Sequence, residues 1–151
     1  MIREAKVEWQ EIFYPSGSLK YEGFTKIDSR VNELIPFGQG VKFFENGNKN
    51  MEGSFADWFI ETGTEYYKNG NIKFIGDYNK GPRNYYGPRY FVFGRIFNEE
   101  GALWYEGTFH IKHSLIGYPL FCRDKSFKAG IEFNNDGTIK QNYIDGTVKM
   151  L

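Results

Sequence analysis

The sequence predicts an all-β fold, a meander of successive β-hairpins. Three observations predict it: glycines that recur at fixed offsets near aromatic residues, two-residue alternation after each such glycine, and a composition rich in rings and glycine. The chain holds 11 Tyr, 15 Phe and 18 Gly in 151 residues. Rings favour strands and glycine favours the tight turns between them. Runs with the helical period are absent, which argues against an α-rich fold. The length fits one domain and suffices for a core without disulfides or metal.

The repeat is visible in five segments: Tyr14–Gly23 (YPSGSLKYEG), Phe44–Gly53 (FENGNKNMEG), Tyr67–Gly76 (YKNGNIKFIG), Phe97–Gly107 (FNEEGALWYEG) and a weaker Phe133–Lys140 (FNNDGTIK). In the first four, a second Gly follows the first by six positions, and Tyr21, Met51, Phe74 or Tyr105 sits four after the first. In the fifth copy Tyr143 stands where the second Gly would be. The first glycines are 30, 23, 31 and 36 residues apart, so the shortest gap is the bare repeat and the others carry insertions of 7, 8 and 13 residues. These fall around Ile27–Pro36, Lys80–Arg89 and Ser114–Lys128. The expectation is one domain over 1–151, about five hairpin repeats with the last degenerate, in about ten strands.

Taken in order, each copy reads as turn then strand. Pro15 presets φ for a type I turn before Gly17. Asn46-Gly47, Asn69-Gly70 and Asp136-Gly137 are hairpin dipeptides, because Gly tolerates positive φ. In the fourth and fifth copies one more residue separates the aromatic from its Gly, which predicts a different turn there. After the first turn Leu19, Tyr21 and Gly23 face one way, and Lys20 and Glu22 the other. After the third, Ile72, Phe74, Gly76 and Tyr78 oppose Lys73, Ile75 and Asp77. After the fourth, Leu103, Tyr105, Gly107 and Phe109 oppose Trp104, Glu106 and Thr108. Such alternation marks half-buried antiparallel strands. The second Gly leaves a gap in each apolar row, through which a ring or backbone can approach closely.

These residues resemble the MORN repeat, in the bacterial variant associated with antitoxin-like proteins. Tyr21-Glu22-Gly23 and Tyr105-Glu106-Gly107 match its aromatic-Glu-Gly triplet directly. Met51-Glu52-Gly53 and Phe74-Ile75-Gly76 match it with one change each. The resemblance covers roughly residues 9 to 146, with the insertions and the irregular spacing as departures. It implies an elongated, twisted antiparallel meander of hairpin repeats with aromatic residues along a concave side. It also implies work in protein assembly, in scaffolding or at membranes through phospholipid contact.

Lys plus Arg and Asp plus Glu each total 19, so the net charge is zero and a general nucleic-acid binder is not expected. Cys122 is the one cysteine, which suits a reducing compartment. Met1–Glu8 is charged without an apolar core, so no signal peptide is expected there, and a cytoplasmic protein follows. His110 and His113 are the two histidines, and no further ligand completes a metal set near them. Cys122 lies among apolar residues and reads as inert filling, since a nucleophile needs a base and an electropositive site. No nucleophile elbow, P-loop or dinucleotide pattern is present.

No catalytic residue, metal or cofactor is therefore expected. The expected function is a non-catalytic protein-interaction module, an inhibitor, antitoxin, immunity protein or scaffold, binding a protein partner through its aromatic face or insertion loops. The candidate binding residues are Tyr21, Trp58, Phe74, Lys80, Arg83, Tyr85, Tyr86, Arg89, Trp104 and Tyr105. The alternative is peripheral membrane or anionic-ligand binding through the basic aromatic stretch Lys80–Tyr90, with its doubled Gly-Pro-Arg. The preferred reading of that stretch is nevertheless a rigid loop with its tyrosines folded onto the sheet, and most of the aromatic row is expected to pack on itself, leaving part of it, with Trp58 and Trp104, to bind. Unpaired end strands would also permit a homodimer. A small hydrolase built on His110 and His113 is the weakest reading.

Overall fold

Five turns of one kind organise the chain. In the computed structural model, residues 6–78, 91–109, 127–145 and 147–149 are described. In each turn the glycine N–H donates to the carbonyl three residues back: Gly17 to Tyr14, Gly47 to Phe44, Gly70 to Tyr67, Gly101 to Asn98 and Gly137 to Asn134. All five glycines have φ between +82° and +92°, the left-handed region that side chains disfavour. The different turn expected in the fourth and fifth copies is thus not found. The aromatic that keeps its place lies four before the glycine in every copy: Phe13, Phe43, Tyr66, Phe97 and Phe133.

Eleven strands lie among the described residues, against about ten expected, and no helix does. The chain divides into two compact units, 1–70 and 71–151. Unit 1 holds β1 (Glu8–Phe13), β2 (Leu19–Asp28), β3 (Glu33–Phe43), β4 (Lys49–Phe55) and β5 (Ile60–Tyr66). Unit 2 holds β6 (Ile72–Tyr78), β7 (Phe91–Phe97), β8 (Leu103–Phe109), β9 (Phe127–Phe133), β10 (Ile139–Ile144) and β11 (Thr147–Lys149). Within each unit every strand runs antiparallel to the next in chain order.

A row of glycines crosses each unit. Gly23, Gly40, Gly53 and Gly63 stand opposite one another on β2 to β5. Gly76, Gly94, Gly107 and Gly130 do so on β6 to β9. Over each pair lies one large side chain: Tyr21 over Gly23 and Gly40, Ile60 over Gly53 and Gly63, Phe74 over Gly76 and Gly94, Tyr105 over Gly107 and Gly130. A Cβ at any of these glycines would collide with that side chain or with the facing backbone. The gap expected behind each repeat is therefore two strands wide.

The rings that fill it form the core. Phe74 stacks on Phe91 at 3.9 Å between centroids, and Tyr105 on Phe127 at 3.8 Å. Tyr21 meets Phe55 edge-on at 5.4 Å. Tyr21 and Tyr105 each donate their hydroxyl to a carbonyl three residues ahead, Phe24 and Thr108, at 2.8 Å. Each buried phenol thereby satisfies its polar end, and burial pushes both hydroxyls up to about 12.

Four of the hairpins built on these glycine turns carry a one-residue bulge after the turn, which leaves Lys20, Asn50, Trp104 and Lys140 without a cross-strand partner. Bulges re-aim side chains. Strict alternation places Lys20 and Trp104 away from the rings. The structure instead brings the Lys20 ammonium 4.2 Å from the Trp58 ring centroid, and Trp58 packs edge-on against Tyr21. Trp104 likewise packs edge-on against Phe127 at 5.5 Å.

Two glycine substitutions separate the row from the turns. Gly94→Ala puts a methyl into the Ile75 carbonyl and 2.8 Å from the Phe74 ring at φ +155°, so it should cost about 3 kcal/mol or more. Gly47→Ala meets open space at φ +89° and should cost about 1 kcal/mol. Urea unfolding midpoints with unchanged slopes measure both, and equal costs would refute the role given to the row.

Candidate functional site

The structure separates the sequence-predicted site residues into three groups. Tyr21, Phe74 and Tyr105 have 0% exposure. They fill the interior over the glycine rows, so they offer no surface to a partner. Trp58 is half-buried and Trp104 exposed, and each stands beside a charged group. Lys80, Arg83, Tyr85, Tyr86 and Arg89 lie outside the described residues, as do His110, His113 and Cys122.

Trp104 belongs to a closed polar cluster. Glu132 faces Tyr105 across β8 and β9 and is only 4% exposed. Its carboxylate accepts hydrogen bonds from the Lys140 ammonium at 2.8 Å, the Tyr143 hydroxyl at 2.6 Å and the Trp104 indole at 3.2 Å. Burial alone raises its pKa, yet these three donors and the Lys140 charge outweigh burial and hold it below the usual carboxylate value. The same carboxylate pushes the Tyr143 hydroxyl up, after burial as the larger cause. With its donors this close, Glu132 is occupied inside its own unit and holds the bulged Trp104 and Lys140 in place.

The open surface lies elsewhere, on the first insertion. The seven residues placed around Ile27–Pro36 lengthen an existing hairpin: β2 and β3 run 10 and 11 residues, while the other strands of unit 1 have 6 or 7. β1 pairs β2 only as far as Thr25, and β4 pairs β3 only from Gly38 onward. Beyond those points Lys26–Ile35 and Ile27–Leu34 pair only with each other among the described residues. A two-stranded ribbon therefore projects from the meander.

Its base is anchored and its tip is fixed. Thr25, Ile35 and Pro36 are buried, and the Thr25 hydroxyl donates to the Glu8 carbonyl at 3.1 Å. At the tip Asn32 has φ +55°, and its N–H donates to the Asp28 carbonyl at 2.7 Å. Arg30 grips Asp28 with two guanidinium nitrogens at 2.9 and 2.5 Å and with its own backbone N–H at 3.0 Å. The Arg30 side-chain bonds, first among the causes, lower the Asp28 carboxyl to about 2.

What this frame displays is apolar. Ile27, Val31 and Leu34 are 56%, 60% and 41% exposed. Ile27 and Leu34 face each other across the ribbon, so they share one side. Lys26 lies 3.8 Å over the Phe37 ring, and Phe24 and Trp9 pair edge-on at 5.6 Å. Phe24, Phe37 and Trp9 are exposed as well. By alternation Phe24, Lys26 and Phe37 lie on the other side from Ile27 and Leu34, so the ribbon exposes apolar side chains on both sides.

The sequence carried signals for both features. Five before the turn glycine stand Ile12, Lys42, Glu65, Ile96 and Glu132, so charge replaces an isoleucine in three copies. The apolar Ile27, Val31 and Leu34 within a charged insertion are likewise visible. Among the described residues, no group of three or more His, Cys, Asp or Glu could hold a metal ion, and no helix is long and apolar enough to cross a membrane. Compared with known proteins, the chain matches no family model, no curated protein and no solved structure.

Two acid titrations follow. The folded pKa of Glu132 is depressed, so its contribution is complete above the unfolded value of about 4.3 and is lost as pH falls below it. Glu132→Gln should cost about 2 kcal/mol at pH 7, and denaturant titrations should show this gap closing toward pH 3. A gap independent of pH would contradict the carboxylate's role. Asp28 is depressed too, so its grip on Arg30 should persist as pH falls through 3.8 and fail only near about 2. The Asp28 carboxyl 13C shift reads this, and an ordinary midpoint near 3.8 would contradict it.

Proposed function

We propose that this chain is a non-catalytic protein-interaction module that presents the β2–β3 ribbon as a preformed apolar finger to a cleft in a protein partner. This is the working of an inhibitor, antitoxin or immunity protein, or of a scaffold. The observation that carries the reading is the pairing of exposed Ile27, Val31 and Leu34 with a backbone held by Asp28, Arg30 and Asn32. Exposed aliphatic side chains weaken solubility unless something covers them. A ribbon already in its bound shape loses little conformational freedom on docking, so more of the apolar burial reaches the affinity.

The remaining surface supports a protein partner over a nucleic acid. Net charge is zero, and the finger mixes Lys26 and Arg30 with Asp28 and Glu33. The likeness of the turns and triplets to the MORN repeat, whose members serve in assembly and scaffolding, supports the same reading, although fold alone fixes no activity.

Capture from host lysate tests it, comparing the native chain with the triple variant Ile27→Ser, Val31→Ser, Leu34→Ser. The variant should keep its circular dichroism spectrum and melting temperature, because the three side chains bury little. Mass spectrometry should find a protein retained by the native chain and reduced at least about ten-fold by the variant, the loss of about 1.4 kcal/mol or more typical of central interface side chains. A partner held equally by both would overturn the assignment of the finger.

A further inference from the structure

Unit 1 contains a charge pattern that the finger does not explain. Lys42 stands on β3 directly opposite the fully buried Tyr21 on β2 and opposite Met51 on β4. This is the row that carries rings, and Glu132 occupies the matching place in unit 2, facing Tyr105. There the carboxylate has three donors. The side chain of Lys42 is half-buried, and its ammonium has no hydrogen-bond or ion-pair partner among the described residues. Charged groups taken out of water are ordinarily paired.

A second ammonium lies beside it. Lys20, re-aimed by the bulge after the first turn, sits 4.2 Å over the Trp58 ring and 5.7 Å from the Tyr14 ring. It too lacks an ion pair or hydrogen bond among the described residues. Tyr14 is fixed by donating its hydroxyl to the Phe43 carbonyl at 2.8 Å, and Trp58 by its edge-on contact with Tyr21 at 6.3 Å. Burial and then the Lys20 charge push the Lys42 pKa down, while Glu65 opposes them. Two lysines that repel each other, one of them partly desolvated, thus flank Tyr21: Lys42 stands opposite it and Lys20 precedes it, with the Trp58 and Tyr14 rings against Lys20. Lys140 answers Glu132 in unit 2, but no described carboxylate pairs with either lysine here.

We propose that Lys20 and Lys42 form a binding site for an oxyanion, a carboxylate or a phosphate, walled by Trp58 and Tyr14. The anion takes a charge-assisted hydrogen bond from each ammonium and turns their repulsion into attraction. Glu65 leaves the cluster one net positive charge, which favours a small or singly presented anionic group over a polyanion. Cation–π contact with Trp58 holds Lys20 in place before the ligand arrives. The site is separate from the apolar finger, and either can fail without the other.

The test follows the Trp58 indole N–H by 1H–15N NMR, assigned by its loss in Trp58→Phe. Inorganic phosphate and a triglutamate peptide are titrated at constant ionic strength, with sodium chloride as control. A saturable shift with half-saturation near or below about 1 mM is expected for at least one of them. Phosphate alone identifies a phosphoryl ligand, and the peptide alone an acidic protein segment. Lys42→Met and Lys20→Met should each weaken binding at least about ten-fold. Lys42→Met should fold at least as well as the native chain, because it removes an unpaired, partly buried charge. The triple finger variant should bind unchanged. No saturable shift with either probe, a shift matched by chloride, or binding that survives both lysine substitutions overturns the site.

Discussion

A large side chain lying over two facing glycines, a ring in three pairs and Ile60 in the fourth, is the contact on which the rest depends. Antiparallel strands normally hold their side chains apart by the width of the Cβ atoms. Where both strands lack Cβ, a phenol or phenyl can settle onto the backbone, and Tyr21, Phe74 and Tyr105 do so with 0% exposure. The strand register is then set by two rows at once: one-residue slippage would carry each ring off its glycines and onto backbone that bears side chains. A hairpin meander with one buried layer gains in this way the interlocking that a sandwich obtains from its second sheet.

The bulges give the units their chemistry. Alternation alone would send Lys20 and Trp104 to the outer side. The extra residue after each turn brings them to the ring side instead, next to a charged residue on the neighbouring strand. In unit 2 the result is neutralised: Glu132 holds Trp104, Lys140 and Tyr143. In unit 1 the same two positions carry like charges, Lys20 and Lys42, with Trp58 between Lys20 and the core. One scaffold thus supports a closed cluster and an open one, and the difference lies in which side chains stand at those two positions, Trp104 and Glu132 or Lys20 and Lys42.

The finger is a third use of the same frame. The repeat leaves the connection between one hairpin and the next free to vary, and all three insertions fall in such connections. In the first, added residues extend β2 and β3, so the ribbon inherits its geometry from strands the core already holds. Function on such a scaffold requires no rearrangement of the rings.

The sequence by itself determined the hairpins, the strand order within each unit and the aromatic layer, because turns and alternation are local and glycine at positive φ leaves few options. It also held the partner glycines Gly40, Gly63, Gly94 and Gly130, each seven before its turn glycine, although only register across strands reveals what they are for. Which rings would be interior and which residues would face solvent was decided by tertiary structure. Tyr21 and Trp9 are both aromatic strand residues, yet only Tyr21 has a glycine pair to lie on. The placement of Lys20 beside Lys42, and of Ile27 beside Leu34 beyond the last flanking strand, depends on a bulge and on where neighbouring strands stop. Those are properties of pairing between distant segments, and no local period encodes them.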